Sequence, residues 1–280
     1  MYKTLLAHIP TERSPRAAVD ASVSLALSCG AEVNAVAAGF ETTYAVPPIA
    51  IDGGAAVAAI YDADREFAQQ RANDALRVFE FEAKAAGISY KCGALTGTIS
   101  EVTSLLSPMA RVHDLTIVSQ PDFACRTFDN QIPQDILFQS GGPLLVVPYT
   151  FHGAFSAARI GICWDGSRLA ARALRDAIPF LTRADDVTAI TIGGGTQIPE
   201  EASQARLVEH LATLGITAKT VTLDADHADI EPTILSVAAD EGFDLLVMGG
   251  FGHSRLQETV MGGVTRGMFH NMTVPTLMSH

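Results

Sequence analysis

Four glycines near the end of the chain have the type and spacing that could bind a phosphate group. Gly249 follows a short apolar run, Gly252 lies three residues later, and the pair Gly262 and Gly263 follows nine further residues. Residues 264–270 then resume the spacing of a helix. Glycines between a strand and a helix let backbone N–H groups approach an anion closely, and the helix N-terminus attracts negative charge. The pattern therefore predicts a phosphate-binding loop, although turns and a helix–strand contact would also use glycine here.

Asp165 is the second candidate, because it stands at the carboxyl end of a predicted strand and is followed by Gly166 and Ser167. Open parallel sheets bind ligands at the carboxyl ends of their strands. We therefore expect Asp165 to lie beside the glycine loop, where its carboxylate could contact a ligand. The same carboxylate could instead cap the next helix, a role that Ser167 could also take.

Gly249, two residues, Gly252, nine residues and Gly262 together resemble the nucleotide-binding signature of the universal stress protein family. The resemblance implies an adenine nucleotide, with ATP favoured over ADP or AMP, and Mg²⁺ accompanying the phosphates. It also implies that the aspartate contacts the nucleoside and that apolar residues at two strand ends contact the adenine. The implied binding residues are Asp165, Ile192, Met248, Gly249, Gly252, Gly262, Gly263, Val264 and Thr265.

The sequence departs from this signature at Gly263, where ATP-binding members usually carry serine or threonine. The glycine removes one hydroxyl donor to a phosphate, and a charge-assisted hydrogen bond of that kind contributes roughly 1.5–3 kcal/mol. The expected loss is about one or two decades of affinity. Backbone N–H groups remain, so we expect weakened binding rather than none.

The chain also repeats its own pattern of strands and helices. The pair Asp114-Leu115 recurs as Asp244-Leu245, each at the start of an apolar run. Predicted strands lie at residues 3–9, 32–38, 89–95, 114–118 and 144–147, and the alternation starts again near residue 159. The pattern also predicts a helix over residues 14–29 with Ser14 as its cap, a loop over residues 39–55, and helices over residues 167–182 and 199–214. We predict an α/β fold of two tandem domains, 1–150 and 157–280, each a five-stranded, mostly parallel sheet with helices on both faces.

The duplicated pattern resembles a tandem universal stress protein, which implies an adenine-nucleotide alpha-hydrolase-like fold. In relatives, the last strands of two domains pair across a dimer interface. Residues 144–147 and 275–278 could form that pairing within one chain, as a pseudo-dimer. A homodimer of tandem chains would then add a further interface.

The first half lacks the features that predict a nucleotide site in the second. Residues 119–123 contain no glycine where the second half has Gly249 and Gly252. Its first strand ends in His8 and Ile9, where binding members carry an aspartate. We therefore predict that the first half has lost nucleotide binding.

Other chemistry finds little support in the sequence. The GxxxxGK[ST] and GxSxG motifs are absent, and no nucleophile can be paired with a base, so no catalytic residue is predicted. Asp224, Asp226, His227 and Asp229 could bind a cation, or could cap the helix that follows. A slow ATP hydrolase and an interaction module with both sites degenerate remain the alternatives to a nucleotide-binding protein.

Composition limits the partners and the compartment. The net charge of −12 should repel nucleic acid and anionic membranes, but backbone amides can still bind a phosphate locally. No apolar run reaches the 18 residues of a membrane-spanning helix. The four scattered cysteines form no CxxC pair, which favours reduced thiols, no structural metal and a cytoplasmic location.

Overall fold

The computed structural model describes residues 1–41, 54–193, 198–250 and 263–280. The strands are β1 (Thr4–Ile9), β2 (Glu32–Phe40), β3 (Tyr90–Gly97), β4 (Leu115–Ser119), β5 (Leu144–Val147), β6 (Arg159–Cys163), β7 (Asp186–Gly193), β8 (Ala218–Asp224), β9 (Leu245–Gly249) and β10 (Thr276–Ser279). The α-helices are α1 (Arg16–Cys29), α2 (Gly54–Ala86), α3 (Ile99–Ala110), α4 (Ile132–Gln139), α5 (Arg168–Leu181), α6 (Gln204–Thr213), α7 (Ile230–Asp240) and α8 (Val264–Asn271). The alternation confirms the predicted α/β class.

The described strands form one sheet in the order β3-β2-β1-β4-β5-β10-β9-β6-β7-β8. Neighbours are parallel within each half, and the halves meet where β5 and β10 pair antiparallel, with Leu145 opposite Leu277. The pairing of last strands implied by the resemblance is therefore present within this chain. Because β5 and β10 run in opposite directions, the parallel strands of the two halves end at opposite edges of the sheet.

Apolar side chains cover both faces of the sheet. Leu25 of α1 and Leu174 of α5 belong to the cluster on one face, and Leu106 of α3 and Val237 of α7 belong to the cluster on the other. The four residues of β5 are all buried, because helices lie above and below this strand. Such strands consist of continuous apolar runs, which is why the sequence located β5 correctly.

The two halves also exchange polar contacts beside the β5–β10 pair. Gln120, which is 1 % exposed, follows β4, and its Nε2 donates to the carbonyl oxygens of Phe269 and His270, each 3.1 Å away. Gly250 follows β9 in the equivalent place, and a Cβ added there would lie 2.8 Å from a methyl of Leu137 in α4. The amide of Gln120 therefore contacts helix α8 of the second half, and Gly250 leaves room for helix α4 of the first half.

The start of the first helix differs from the prediction. We predicted a helix over residues 14–29 with Ser14 as its cap, but α1 begins at Arg16 and Pro15 occupies the cap position. Pro15 already has helical dihedrals, with φ −78° and ψ −7°. The oxygen of Ser14 accepts a long 3.4 Å bond from the Arg16 N–H. The proline ring fixes φ near the helical value, so Pro15 continues the helical geometry and leaves Ser14 outside the cap position.

Two further segments correct the predicted bounds. The helix predicted over residues 199–214 is divided at Ser203, which adopts extended dihedrals and caps α6 after a short 3-10 helix. The loop predicted over residues 39–55 is shorter, because β2 continues to Phe40 in register with β3, and α2 begins at Gly54. Residues 42–53 of that loop lie outside the described residues.

No helix within the described ranges is both long and apolar enough to cross a membrane.

Candidate nucleotide-binding site

Asp165 lies in the connection between β6 and α5, at the edge where the second-half strands end. It is exposed, and its Oδ1 accepts a 2.9 Å hydrogen bond from the Ser167 N–H. Ser167 is the cap of α5, since its hydroxyl accepts from the Ala170 N–H at 3.1 Å. The serine therefore takes the capping role that the sequence left open between the two residues. Oδ2 of Asp165 has no hydrogen-bond partner among the described residues.

Gly249 ends β9 in close contact with the first turn of α5. A Cβ added to Gly249 would lie 2.8 Å from the carbonyl carbon of Leu169 and 2.8 Å from the nitrogen of Ala170. Any side chain would push the helix away from the strand. Close helix–strand packing thus requires glycine here, whether or not the backbone also contacts a phosphate.

Helix α8 begins at Gly263 without a side-chain cap. Gly263 is buried, with φ −57° and ψ 153°, and its carbonyl oxygen accepts from Arg266 and Gly267 at 2.9 and 3.1 Å. The first N–H groups of a helix have no partner within the helix and attract anions. Thr265 is buried in this first turn. Gly252 and Gly262, the other two glycines of the predicted loop, lie outside the described residues.

Met248 and Ile192, which are predicted to contact the adenine, belong to one apolar cluster together with Val264. Met248 is buried within it, and Ile192 and Val264 pack against it while keeping part of their surface exposed. These residues come from β9, from the end of β7 and from the start of α8. The fold therefore places all three segments on the same face of the sheet.

Trp164 is a further residue at this edge that the sequence pattern did not single out. Its indole N–H donates to the Ala202 carbonyl at 2.8 Å, which attaches the segment before α6 to the end of β6. Gly166, with φ +72°, lies under Ile198 of the same segment, since an added Cβ would be 2.6 Å from its methyl. Trp164 is the single tryptophan of the chain, and its place at a strand end was the available signal.

The acidic group after β8 contributes to the start of α7. Residues His227–Asp229 form a short 3-10 helix, and Asp229 occupies the cap position of α7. The Thr233 hydroxyl donates to the Asp229 carbonyl oxygen at 2.7 Å. Within the described ranges, no three His, Cys, Asp or Glu side chains are arranged to hold a metal ion.

The equivalent edge of the first half has different residues. Leu5 pairs with Leu115 in the first half as Ile160 pairs with Leu245 in the second, so Leu5 and Ile160 are equivalent. Pro10 and Asp165 each lie five residues further on, so Pro10 occupies the place of Asp165. This register corrects our assignment of that place to His8 and Ile9. His8 lies within the sheet and is 2 % exposed.

Burial and the positive charge of Arg13 lower the pKa of His8 to about 3. In the unfolded chain, a histidine has a pKa near 6.5. Between about pH 6.5 and pH 3, His8 is therefore protonated in the unfolded state but neutral in the native state. Stability should fall by up to about 1.4 kcal/mol per pH unit in that window. We expect His8→Gln to reduce the difference in urea midpoint between pH 7 and pH 5.

Asp129 contributes to the pH dependence of stability with the opposite sign, because burial raises its pKa and the native state binds a proton more readily than the unfolded state. This contribution is present in both the wild type and His8→Gln. His152→Gln, at an exposed histidine, is the matched control and should retain the wild-type pH dependence. Equal pH dependence in all three proteins would contradict a buried, neutral His8.

Comparisons with known proteins agree with this architecture. Residues 157–280 match the model of the universal stress protein family. The curated universal stress protein Slr1230 from Synechocystis is 27 % identical over 136 residues, which cover 48 % of this chain and 46 % of the relative. The match thus spans about half the length of that relative.

Solved structures extend the similarity of fold to the whole chain. A universal stress protein from Archaeoglobus fulgidus superposes with a TM-score of 0.72 at 14 % identity, covering 99 % of this chain and 95 % of that one. A protein of unknown function from Pseudomonas aeruginosa PAO1 gives 0.61 at 14 % identity, covering 99 % and 92 %. Residues 157–280 are therefore similar to the universal stress protein family, and the chain as a whole has the fold of the universal stress protein from Archaeoglobus fulgidus.

Proposed function

We propose that the second half binds an adenine nucleotide, ATP in the first place, at the edge formed by the ends of β6, β7 and β9. The observation that carries the proposal is the uncapped start of α8 at Gly263, in the same half as the exposed carboxylate of Asp165. A helix N-terminus favours phosphate, and a carboxylate oxygen can accept from ribose hydroxyls. The glycine spacing described above adds support from the family signature.

The surrounding residues fit the two ends of such a ligand. Ile192 and Met248 offer apolar surface to the base, while Gly249, Val264 and Thr265 offer main-chain groups to the phosphates. Gly252 and Gly262 belong to the same proposed loop. Backbone N–H groups carry no net charge, so the acidic chain need not repel the nucleotide at this point. Mg²⁺ would accompany the phosphates, and we assign no protein ligands to it.

We further propose that nucleotide occupancy influences a partner interaction in the cytoplasm, in keeping with a stress-response protein. The domain limits 1–150 and 157–280 are part of this proposal. A homodimer of tandem chains remains compatible with it. An interaction module without a nucleotide is the second candidate, and the cap position of α8 favours it, since Gly263 supplies no hydroxyl.

Isothermal titration of the full chain with ATP, ADP and AMP tests the proposal. Gly263→Ser should strengthen ATP binding by about 10- to 100-fold, because it restores one charge-assisted hydrogen bond worth roughly 1.5–3 kcal/mol. The dihedrals of Gly263 lie in the region that serine adopts at a helix cap, so the substitution needs no backbone change. Asp165→Asn should weaken binding, since an amide lacks the charge of the carboxylate.

Ala154→Ser and Asp185→Asn are the matched controls, because both positions are exposed and precede the starts of β6 and β7, whereas the proposed site lies where these strands end. Both should bind ATP as the wild type does. No heat with any nucleotide for wild type and Gly263→Ser, at concentrations that detect micromolar binding, would favour the interaction module. Multiple turnover of ATP that Asp165→Asn abolishes would instead indicate a hydrolase.

A further inference from the structure

The first half carries a buried carboxylate at the edge where its parallel strands end. Asp129 is 0 % exposed, and its Oδ2 accepts hydrogen bonds from the Thr11 N–H at 3.1 Å and the Glu12 N–H at 2.9 Å. Both amides lie in the connection between β1 and α1. By register with the second half, where Pro10 matches Asp165, this connection is the equivalent of the proposed nucleotide edge.

Two cationic or protonatable side chains converge on the same carboxylate. His8 Nε2 lies 3.6 Å from Asp129 Oδ1, too far for a hydrogen bond. The Arg13 guanidinium donates to the carbonyl oxygens of Ser119 and Gln120, and its charge acts on Asp129. These donors all lie within residues 8–13, and the fold brings the carboxylate of Asp129 to them from a distant part of the chain.

The carboxylate and the donors around it do not satisfy one another fully. His8 Nε2, Arg13 Nε and Asp129 Oδ1 are buried without a hydrogen-bond partner within the described residues. A buried polar atom without a partner is costly, so such a set calls for an explanation. A planar carboxylate presents two oxygens, whereas main-chain N–H groups with a guanidinium and an imidazole are the donors that commonly surround a tetrahedral oxyanion.

We infer that the first half retains an oxyanion site, suited to phosphate or sulfate, which its own Asp129 side chain fills. The 3-10 helix Phe128–Gln131 carries the carboxylate into the site from a position 118 residues away from Thr11 in sequence. The oxyanion site of the first half therefore keeps its hydrogen-bond donors and is occupied by an anionic side chain of the same chain. This inference does not depend on nucleotide binding in the second half.

Asp129→Gly in the full chain tests the inference by removing the internal anion and leaving space for an external one. Thermal unfolding is followed with sodium sulfate or sodium phosphate from 0 to about 20 mM, at ionic strength held constant with sodium chloride. The variant should start below the wild-type Tm and rise by about 5–10 °C once the anion reaches about 100-fold its Kd. The wild type should not respond in this range.

Asp129→Asn is the matched control, because the amide keeps the volume of the side chain and an acceptor for the two N–H groups. It should not respond to sulfate. Arg13→Gln combined with Asp129→Gly should abolish the response of the single variant. Titration calorimetry with sulfate should show one extra site in Asp129→Gly relative to wild type, which separates this site from any anion site in the second half.

Three results would overturn the inference. They are a sulfate response equal in wild type and Asp129→Gly, a response that survives loss of Arg13, and an Asp129→Gly chain that stays unfolded at every sulfate and phosphate concentration.

Discussion

Replacing Gly39 with alanine is expected to lower the free energy of unfolding by about 3 kcal/mol. Gly39 is in β2, and a Cβ added there would overlap the main-chain carbonyl of Ala68 in α2. A flexible side chain could rotate away, but a helix backbone cannot. The whole of α2 would have to move off the sheet, with loss of the contacts that bury Ala68 and Ala72.

Gly93 offers a matched control on the adjacent strand β3. It pairs with Val36, and an added Cβ would meet nothing within 4 Å. Gly93→Ala should therefore be neutral or stabilise by up to about 1 kcal/mol, because alanine restricts the unfolded chain. Urea unfolding followed by far-UV circular dichroism measures both. Equal stability of the two variants would contradict the close approach of α2 to β2.

Replacing Leu277 with aspartate should have a still larger effect, above about 4 kcal/mol. Leu277 is 0 % exposed and lies in β10 between Leu145 of β5 and Val247 of β9. A carboxylate there would be buried in the apolar interior that both halves share. We expect a chain that is unfolded or insoluble at 25 °C.

The control is Val112→Asp, which introduces the same charge at a valine that is 77 % exposed. Its free energy of unfolding should remain within about 0.5 kcal/mol of the wild-type value. Fluorescence of Trp164 reports on the second half, and circular dichroism reports on both halves. A Leu277→Asp chain with the wild-type midpoint would show that the β5–β10 junction is not buried in solution.

Short-range patterns predicted most of the elements. The run at residues 144–147 is apolar throughout and identified β5 with its observed bounds. Ser167 before a helical pattern predicted the start of α5, and the hydroxyl does cap it. These features depend on neighbours within a few residues, which a sequence reading can weigh. The prediction that Ser14 caps α1 was wrong, because Pro15 has helical dihedrals and occupies the cap position instead.

Contacts between distant segments were beyond the sequence pattern. Nothing near Asp129 indicates that its carboxylate would bind amides at Thr11 and Glu12. Likewise, Gln120 reaches carbonyls 149 and 150 residues away. The absence of glycines after β4 predicts a lost nucleotide site, but it gives no indication of the contact between Asp129 and the connection from β1 to α1.

Gly249 illustrates a different limit. The sequence offered two explanations for its glycine, a phosphate contact and a helix–strand contact. The contact with Leu169 and Ala170 accounts for the absence of a side chain by packing alone. The residue therefore carries less weight for the nucleotide proposal than Gly263, whose dihedrals would accept a side chain.

The antiparallel pairing of β5 with β10 has a mechanical consequence. Ten adjacent strands, about 4.8 Å apart, make a slab about 43 Å wide with hydrogen bonds across its middle. A hinge motion between the two halves would break the hydrogen bonds between β5 and β10. We therefore do not expect this protein to bind a partner by opening and closing its two halves. The nucleotide site proposed for the second half and the anion site proposed for the first would instead lie at opposite edges of one continuous sheet.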